Sequence, residues 1–170
     1  MEEPIRIAAH DPAWVQSFER ERGLIAEAIG TWLTGPIEHI GSTAVPGLAA
    51  KPVVDIMAAV RGLEESRPAI KALRALQYCY FPYRPDAMHW FCKPGPGART
   101  HHLHLVPFGS ALWIERLAFR DVLRANPGIA AEYAELKAKL AVRFRNDREA
   151  YTDAKAPFIA RVLREHAPVR

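Results

Sequence analysis

The chain has 170 residues, 49% hydrophobic and 25% charged, a globular balance that excludes a mainly disordered or collagen-like polymer. That length suits one domain, or one core with a helical extension, and is short for two independent enzymes. The 23 Lys and Arg against 19 Asp and Glu leave a mild +4, and no apolar run reaches the ~20 residues that a membrane-spanning helix needs.

Asp11-Pro12 opens a helix, because Asp accepts from free first-turn amides and Pro is pre-shaped for the first helical position. Trp14, Phe18, Ile25 and Ile29 then form one apolar stripe down to Gly30. After Gly35-Pro36 two strands are expected, over 37–40 and 52–60, joined through the small-residue segment GSTAVPGLAA. A helix follows over 64–76. The β-compatible runs 78–83, 88–93 and 99–106 surround the turn-former Pro94-Gly95-Pro96-Gly97, which predicts a hairpin. From Ser110 the pattern is helical, over 110–125, 129–145 and 148–166. This order predicts an α+β fold: a mixed sheet core to about residue 108, with a helical region, 109–170, packed on it.

The C-terminal region is also where the charge gathers. From Lys137 to Arg170 nine basic residues stand against four acidic ones, so this segment carries +5 and the rest is near neutral. It reads either as a phosphate-attracting face or as a solvated helix surface. The start MEEPIRIAAHDPAW does not read as a secretory signal, and Cys79 and Cys92 lie outside any CxxC, so two reduced thiols in a cytoplasmic protein are expected.

Gly41-Ser42, directly after a strand, is the most informative pair. Glycine lets the backbone turn sharply and bring amides and the Ser42 and Thr43 hydroxyls close to a phosphate. After Ser42 and twelve intervening residues, Asp55 interrupts an apolar strand, where an unpaired carboxylate is costly; it is expected at a strand end, paired, or on a metal. On a later strand His102 and His104 share a face about 7 Å apart. With Asp55 they would make a donor set for Zn²⁺ or Mn²⁺ rather than Mg²⁺; without it, they stabilise a polar strand edge. Lys51 and Arg99 flank these motifs, and Arg120, Lys137 and Lys155 lie on the later helices.

The segment HIGSTAVPGLAAKPVVDI resembles the GrpB family, and WVQSFERE before it and RTHHLHL, LAFRDVLRANP, YAELK and YTDAKAPFI after it are similar to family segments in the same order. The likeness runs from about Ile5 to Glu165. The family in turn resembles the DNA polymerase β-like nucleotidyltransferases, in which a Gly-Ser turn holds nucleotide phosphates and two carboxylates one residue apart hold Mg²⁺. The resemblance implies that fold, with Gly41, Ser42, Thr43, Lys51, Arg99, Arg120, Lys137 and Lys155 toward a nucleotide, and Asp55, His102 and His104 catalytic and on a divalent metal, Mg, Mn or Zn. It departs at Met57, where the second carboxylate belongs.

Three activities follow as expectations: nucleotidyl transfer to a small molecule or protein, a nucleotide-binding or regulatory module that has lost catalysis, and a histidine-dependent phosphoesterase. The last lacks a third alternating histidine, since residue 106 is Val. The family is also found joined to dephospho-coenzyme A kinase, which implies a nucleotide or coenzyme-like partner; this chain has no GxxxxGK[ST] loop. A nucleic-acid or membrane partner is not expected.

Overall fold

The computed structural model describes residues 3–166. Helix α1 (Ala13–Ile29) begins where Asp11 Oδ1 accepts from the Ala13 amide at 2.9 Å, and it buries the expected stripe of Trp14, Phe18, Ile25 and Ile29. Strand β1 (Leu33–Ile40) starts earlier than the sequence indicated. Its register slips between Leu33 and Ile37, around Gly35-Pro36, so the turn-formers make a strand irregularity instead of a boundary. Gly35 serves close packing, since a Cβ there would meet Ala59 and Phe108 at 3.0 Å.

The remaining elements are β2 (Val54–Val60), α2 (Leu63–Ala72), β3 (Cys79–Phe81), β4 (His89–Lys93), β5 (His101–Pro107), α3 (Ala111–Ala125), α4 (Pro127–Arg143) and α5 (Arg148–His166). The helix expected over 64–76 ends as a short 3₁₀ turn at Leu73–Leu76. Strand β3 is only three residues long because Pro82 cannot continue the ladder. Asn126 closes α3, and Pro127 opens α4 two residues before the expected start, at the first helical position, where its missing amide costs nothing.

The five strands lie in the order β1-β2-β5-β4-β3. Only the β2–β5 pair is parallel, and α2 lies in the connection that returns to it. The predicted hairpin over 94–97 joins β4 to β5. One face of the sheet packs Ile56, Ala58, Leu103, Leu105 and Phe91 against α1 and α2. The other face carries Met57, Ala59 and Val106 under Leu112 and Trp113 of α3. Helices α4 and α5 close over the β1–β2 connection, where Val45 and Leu48 meet Leu123 and Tyr133, and Ile5 meets Leu140, Ala141 and Tyr151. Buried Glu21 of α1 accepts from Lys93 of β4 (2.7 Å) and from the Tyr78 hydroxyl (2.8 Å), fixing α1 to the far half of the sheet. No helix among the described residues is long and apolar enough to cross a membrane.

Candidate functional site

Strand alternation decides what the α3 side of the sheet presents. Register pairs Asp55 with His102 and Met57 with His104 across β2 and β5, and Trp90 with His104 across β4 and β5. Residues two apart share a face, so Asp55, His102, His104 and Trp90 stand together on one side. His102 Nδ1 lies 3.0 Å from Asp55 Oδ1, and His104 Nε2 lies 3.5 Å from the same oxygen. Asp55 keeps 29% side-chain exposure, so its carboxylate remains reachable from solvent.

Burial opposes ionisation of Asp55, but the hydrogen bonds and charge of the two imidazoles win and hold its carboxyl well below the usual range. Burial, reinforced by Arg116, lowers His104 to about 4 against the pull of Asp55. At neutral pH this cluster therefore holds a carboxylate with a neutral His104 beside it.

Gly41 supplies the turn beside this cluster. Its φ is +72°, and a Cβ on it would come within 2.7 Å of Asp55 Oδ2. Ser42–Ala44 then forms a single 3₁₀ turn. Lys137, buried on α4, donates to Ser42 Oγ at 2.8 Å and to the Ala49 carbonyl, so it ties down both ends of the loop. Tyr133, one helical turn earlier, is within hydrogen-bonding reach of Ser42 and has the Lys137 ammonium 4.9 Å from its ring centre. Thr43 is held from behind by His39 Nε2 at 2.9 Å; His39 stacks on Phe18, and burial lowers it to about 4.

Helix α5 repeats the α4 device. Tyr151 and Lys155 are four residues apart and face inward, and the ammonium groups of Lys155 and Lys51 lie 4.5 and 4.9 Å from the Tyr151 ring centre. Burial first, and then the neighbouring lysines, lowers Lys137 and Lys155 to about 7. Arg116 of α3 completes the rim. It is half-buried within electrostatic reach of Asp55 and His104, and its pKa is lowered by burial. Neither Arg116 nor Lys155 makes a hydrogen bond or ion pair among the described residues.

The structure thus brings Gly41, Ser42, Asp55, His102, His104, Lys51, Lys137 and Lys155 together. It does not bring Arg120 in: Arg120 donates to Glu38 (2.7 Å), the His39 carbonyl (3.1 Å) and Asp121 (2.8 Å), clamping α3 to β1. Arg99 lies to one side, its guanidinium 5.5 Å from the Trp90 ring centre and its Nε donating to the Pro96 carbonyl. Sequence reasoning missed Arg116 and Tyr133. The signal was present: Leu112, Arg116 and Arg120 fall four apart, which sets a charge on the buried stripe of α3.

The expected metal centre has the right donor chemistry, but its donors are arranged differently. Both imidazole nitrogens turn to one oxygen of Asp55, His104 Nδ1 lies 3.3 Å from Met88 Sδ, and His102 Nε2 is buried with no partner among the described residues. Among those residues no group of three or more His, Cys, Asp or Glu is disposed to hold a metal ion. As arranged, one nitrogen of each imidazole is engaged with Asp55, and the donors do not converge on a common metal position.

A family model described as GrpB protein matches residues 4–165. The chain belongs to the GrpB family. It is 42% identical over 166 residues to a UPF0157 protein of Pseudomonas aeruginosa, covering 94% of this chain and 66% of that one. It is 32% identical to the glutamate-rich protein GrpB of Alkalihalophilus pseudofirmus, over 94% of each chain. A crystal structure of the conserved protein GrpB from Enterococcus faecalis superposes with a TM-score of 0.85 at 33% identity, covering 95% of this chain and 96% of that one. More distantly, 91% of this GrpB chain is similar, at 27% identity, to 44% of a dephospho-CoA kinase of Mycolicibacterium paratuberculosis.

Proposed function

We propose that this GrpB protein binds a phosphate-bearing small molecule, a nucleotide or nucleotide-derived coenzyme, in the recess between Gly41-Ser42, Asp55 and the inner faces of α3, α4 and α5. One observation carries the reading: Arg116 and Lys155 are half-buried basic groups without a hydrogen-bonded or ionic partner among the described residues, and both lie within electrostatic reach of Asp55, against which the Gly41 turn packs. Cations drawn from water are costly unless an anion compensates them, and a phosphate group supplies that anion. The similarity to part of a dephospho-CoA kinase supports a nucleotide or coenzyme setting.

Binding is favoured over two-metal transfer because the position of the second carboxylate belongs to the apolar core. Met57 is fully buried with Ile40, Leu112 and Trp113. A second reading, nucleotidyl transfer, draws on Asp55, which is held ionised between two imidazoles and is fit to accept a hydrogen bond from an incoming hydroxyl.

Calorimetric titration with inorganic pyrophosphate and with ATP, each alone and with Mg²⁺, Mn²⁺ or Zn²⁺, tests both readings. Binding is expected, and Arg116→Met or Lys155→Met should weaken it roughly tenfold or more, the usual worth of a hydrogen bond to a charged group. Release of pyrophosphate from ATP, lost in Asp55→Asn, would favour transfer. Absence of binding by either anion under every metal would sink the proposal.

A further inference from the structure

Beside the phosphate recess lies a feature that phosphate binding leaves unused. Tyr83 and Phe81 are exposed, at 48% and 36%, on the short connection and edge strand next to β4. Their rings lie 6.1 and 5.9 Å from that of half-buried Trp90. Trp90 in turn lies 5.0 Å from the His102 ring, so the row runs without a break from Asp55 through His102 to Trp90 and Tyr83. Asp55 and Trp90 are two strands apart, about 10 Å, which is within the span of a nucleotide. Arg116 lies within electrostatic reach of both ends, feeling Asp55 on one side and Tyr83 and Arg84 on the other.

Tyr83 and Phe81 thus present exposed ring faces beside basic groups, Arg99 standing 5.5 Å from the Trp90 ring centre, and such a surface suits stacking of a planar, anionic ligand. We infer that the Tyr83–Trp90 shelf is the subsite for the heteroaromatic base of a nucleotide whose phosphates lie among Arg116, Lys155 and Gly41-Ser42, Arg116 marking the junction between the two halves. The inference rests on the phosphate reading and adds to it the place and the kind of contact by which the base of the nucleotide is held. Stacking tolerates any base, because every base presents a π-face, so the shelf selects for a base without dictating which one.

The test compares inorganic pyrophosphate with the ribonucleoside diphosphates of adenine, guanine, cytosine and uracil, titrated into wild type, Tyr83→Ala and Tyr83→Phe. Tyr83 is half exposed, so its truncation leaves the core intact, and thermal melts of each variant verify this. The tightest nucleoside diphosphate should bind wild type at least tenfold better than pyrophosphate. Tyr83→Ala should remove most of that advantage without changing pyrophosphate affinity, and Tyr83→Phe should restore it; nucleotide binding should also quench a tryptophan signal that Trp90→Phe abolishes. Equal affinity for pyrophosphate and every nucleoside diphosphate, or an advantage untouched by Tyr83→Ala, would overturn the base subsite while leaving the phosphate reading in place. Failure of pyrophosphate and all four nucleotides to bind overturns both.

Discussion

At Gly41 the backbone adopts φ +72° and ψ −172°, a region open essentially to glycine alone, while the missing side chain leaves room for Asp55 Oδ2. Gly41→Ala therefore meets two penalties, backbone strain and a displaced carboxylate. It should lower unfolding stability by about 2 to 3 kcal/mol in urea denaturation and weaken anion binding as the turn and Asp55 separate. Met57 poses the opposite problem. From sequence it is the place where a second carboxylate is missing; in the fold it is a fully buried strut under Leu112 and Trp113. Met57→Asp would bury a carboxylate in that cluster, so the expected result is a loss of about 3 kcal/mol or more, read from the denaturation midpoint, and no gain of transferase activity. Asp55, His102 and His104 were legible as candidates from alternation alone. That both imidazoles converge on one oxygen depends on the register of β2 against β5, which no local pattern encodes.

Among the elements, α4 and α5 each carry a tyrosine one turn before a lysine; the α4 pair meets the Gly-Ser loop at Ser42, and the α5 pair meets Lys51, with Lys155 within electrostatic reach of Asp55. This resolves the +5 of the C-terminal segment into two populations. Lys139 pairs with Glu135, and Arg161 with Glu132 and Glu165, on the solvent side, whereas Lys137 and Lys155 face inward. A pH dependence follows. Both inward lysines are lowered from 10.5 to about 7 by burial and by neighbouring lysines, so between about pH 7 and 10.5 the unfolded chain holds more protons than the folded one. Stability then rises with pH across that window, and the penalty is complete below about pH 7. Anion binding should reverse the effect by recharging the lysines: at pH 8 it should take up protons, seen as a binding heat that varies with the ionisation enthalpy of the buffer. Replacing both lysines by methionine should abolish that variation. Helical periodicity showed that these lysines lie on helices, but not which face is inward, because amphipathic character along α4 and α5 is blurred by the lysines themselves.

For the molecule as a whole, the proposed binding region draws on β1, β2, β5, α3, α4 and α5 at once, so a ligand bound as proposed would couple the helical region to the sheet. Anything that binds the folded state alone stabilises it: a hundredfold excess over Kd adds about 2.7 kcal/mol, worth roughly 5–10 °C in Tm for a domain of this size. Pyrophosphate should therefore raise the melting temperature, by more at pH 6.5 than at pH 9, because Lys137 and Lys155 are charged at the lower pH; an equal rise at both would show that the lysines take no part. The sequence by itself determined the elements, the α+β class and the family, because hydrophobic period, turn chemistry and the run from His39 to Asp55 are local properties of the chain. It also singled out Gly41, Ser42, Asp55, His102 and His104. Only the tertiary structure decided that Arg120 is a clamp, that Arg116 and Tyr133 belong to the recess, and that Met57 is core. The physical reason is that pairing and burial are settled between elements far apart in the chain: whether a charge meets a carboxylate, another lysine or an open cleft depends on which helix packs over which strand.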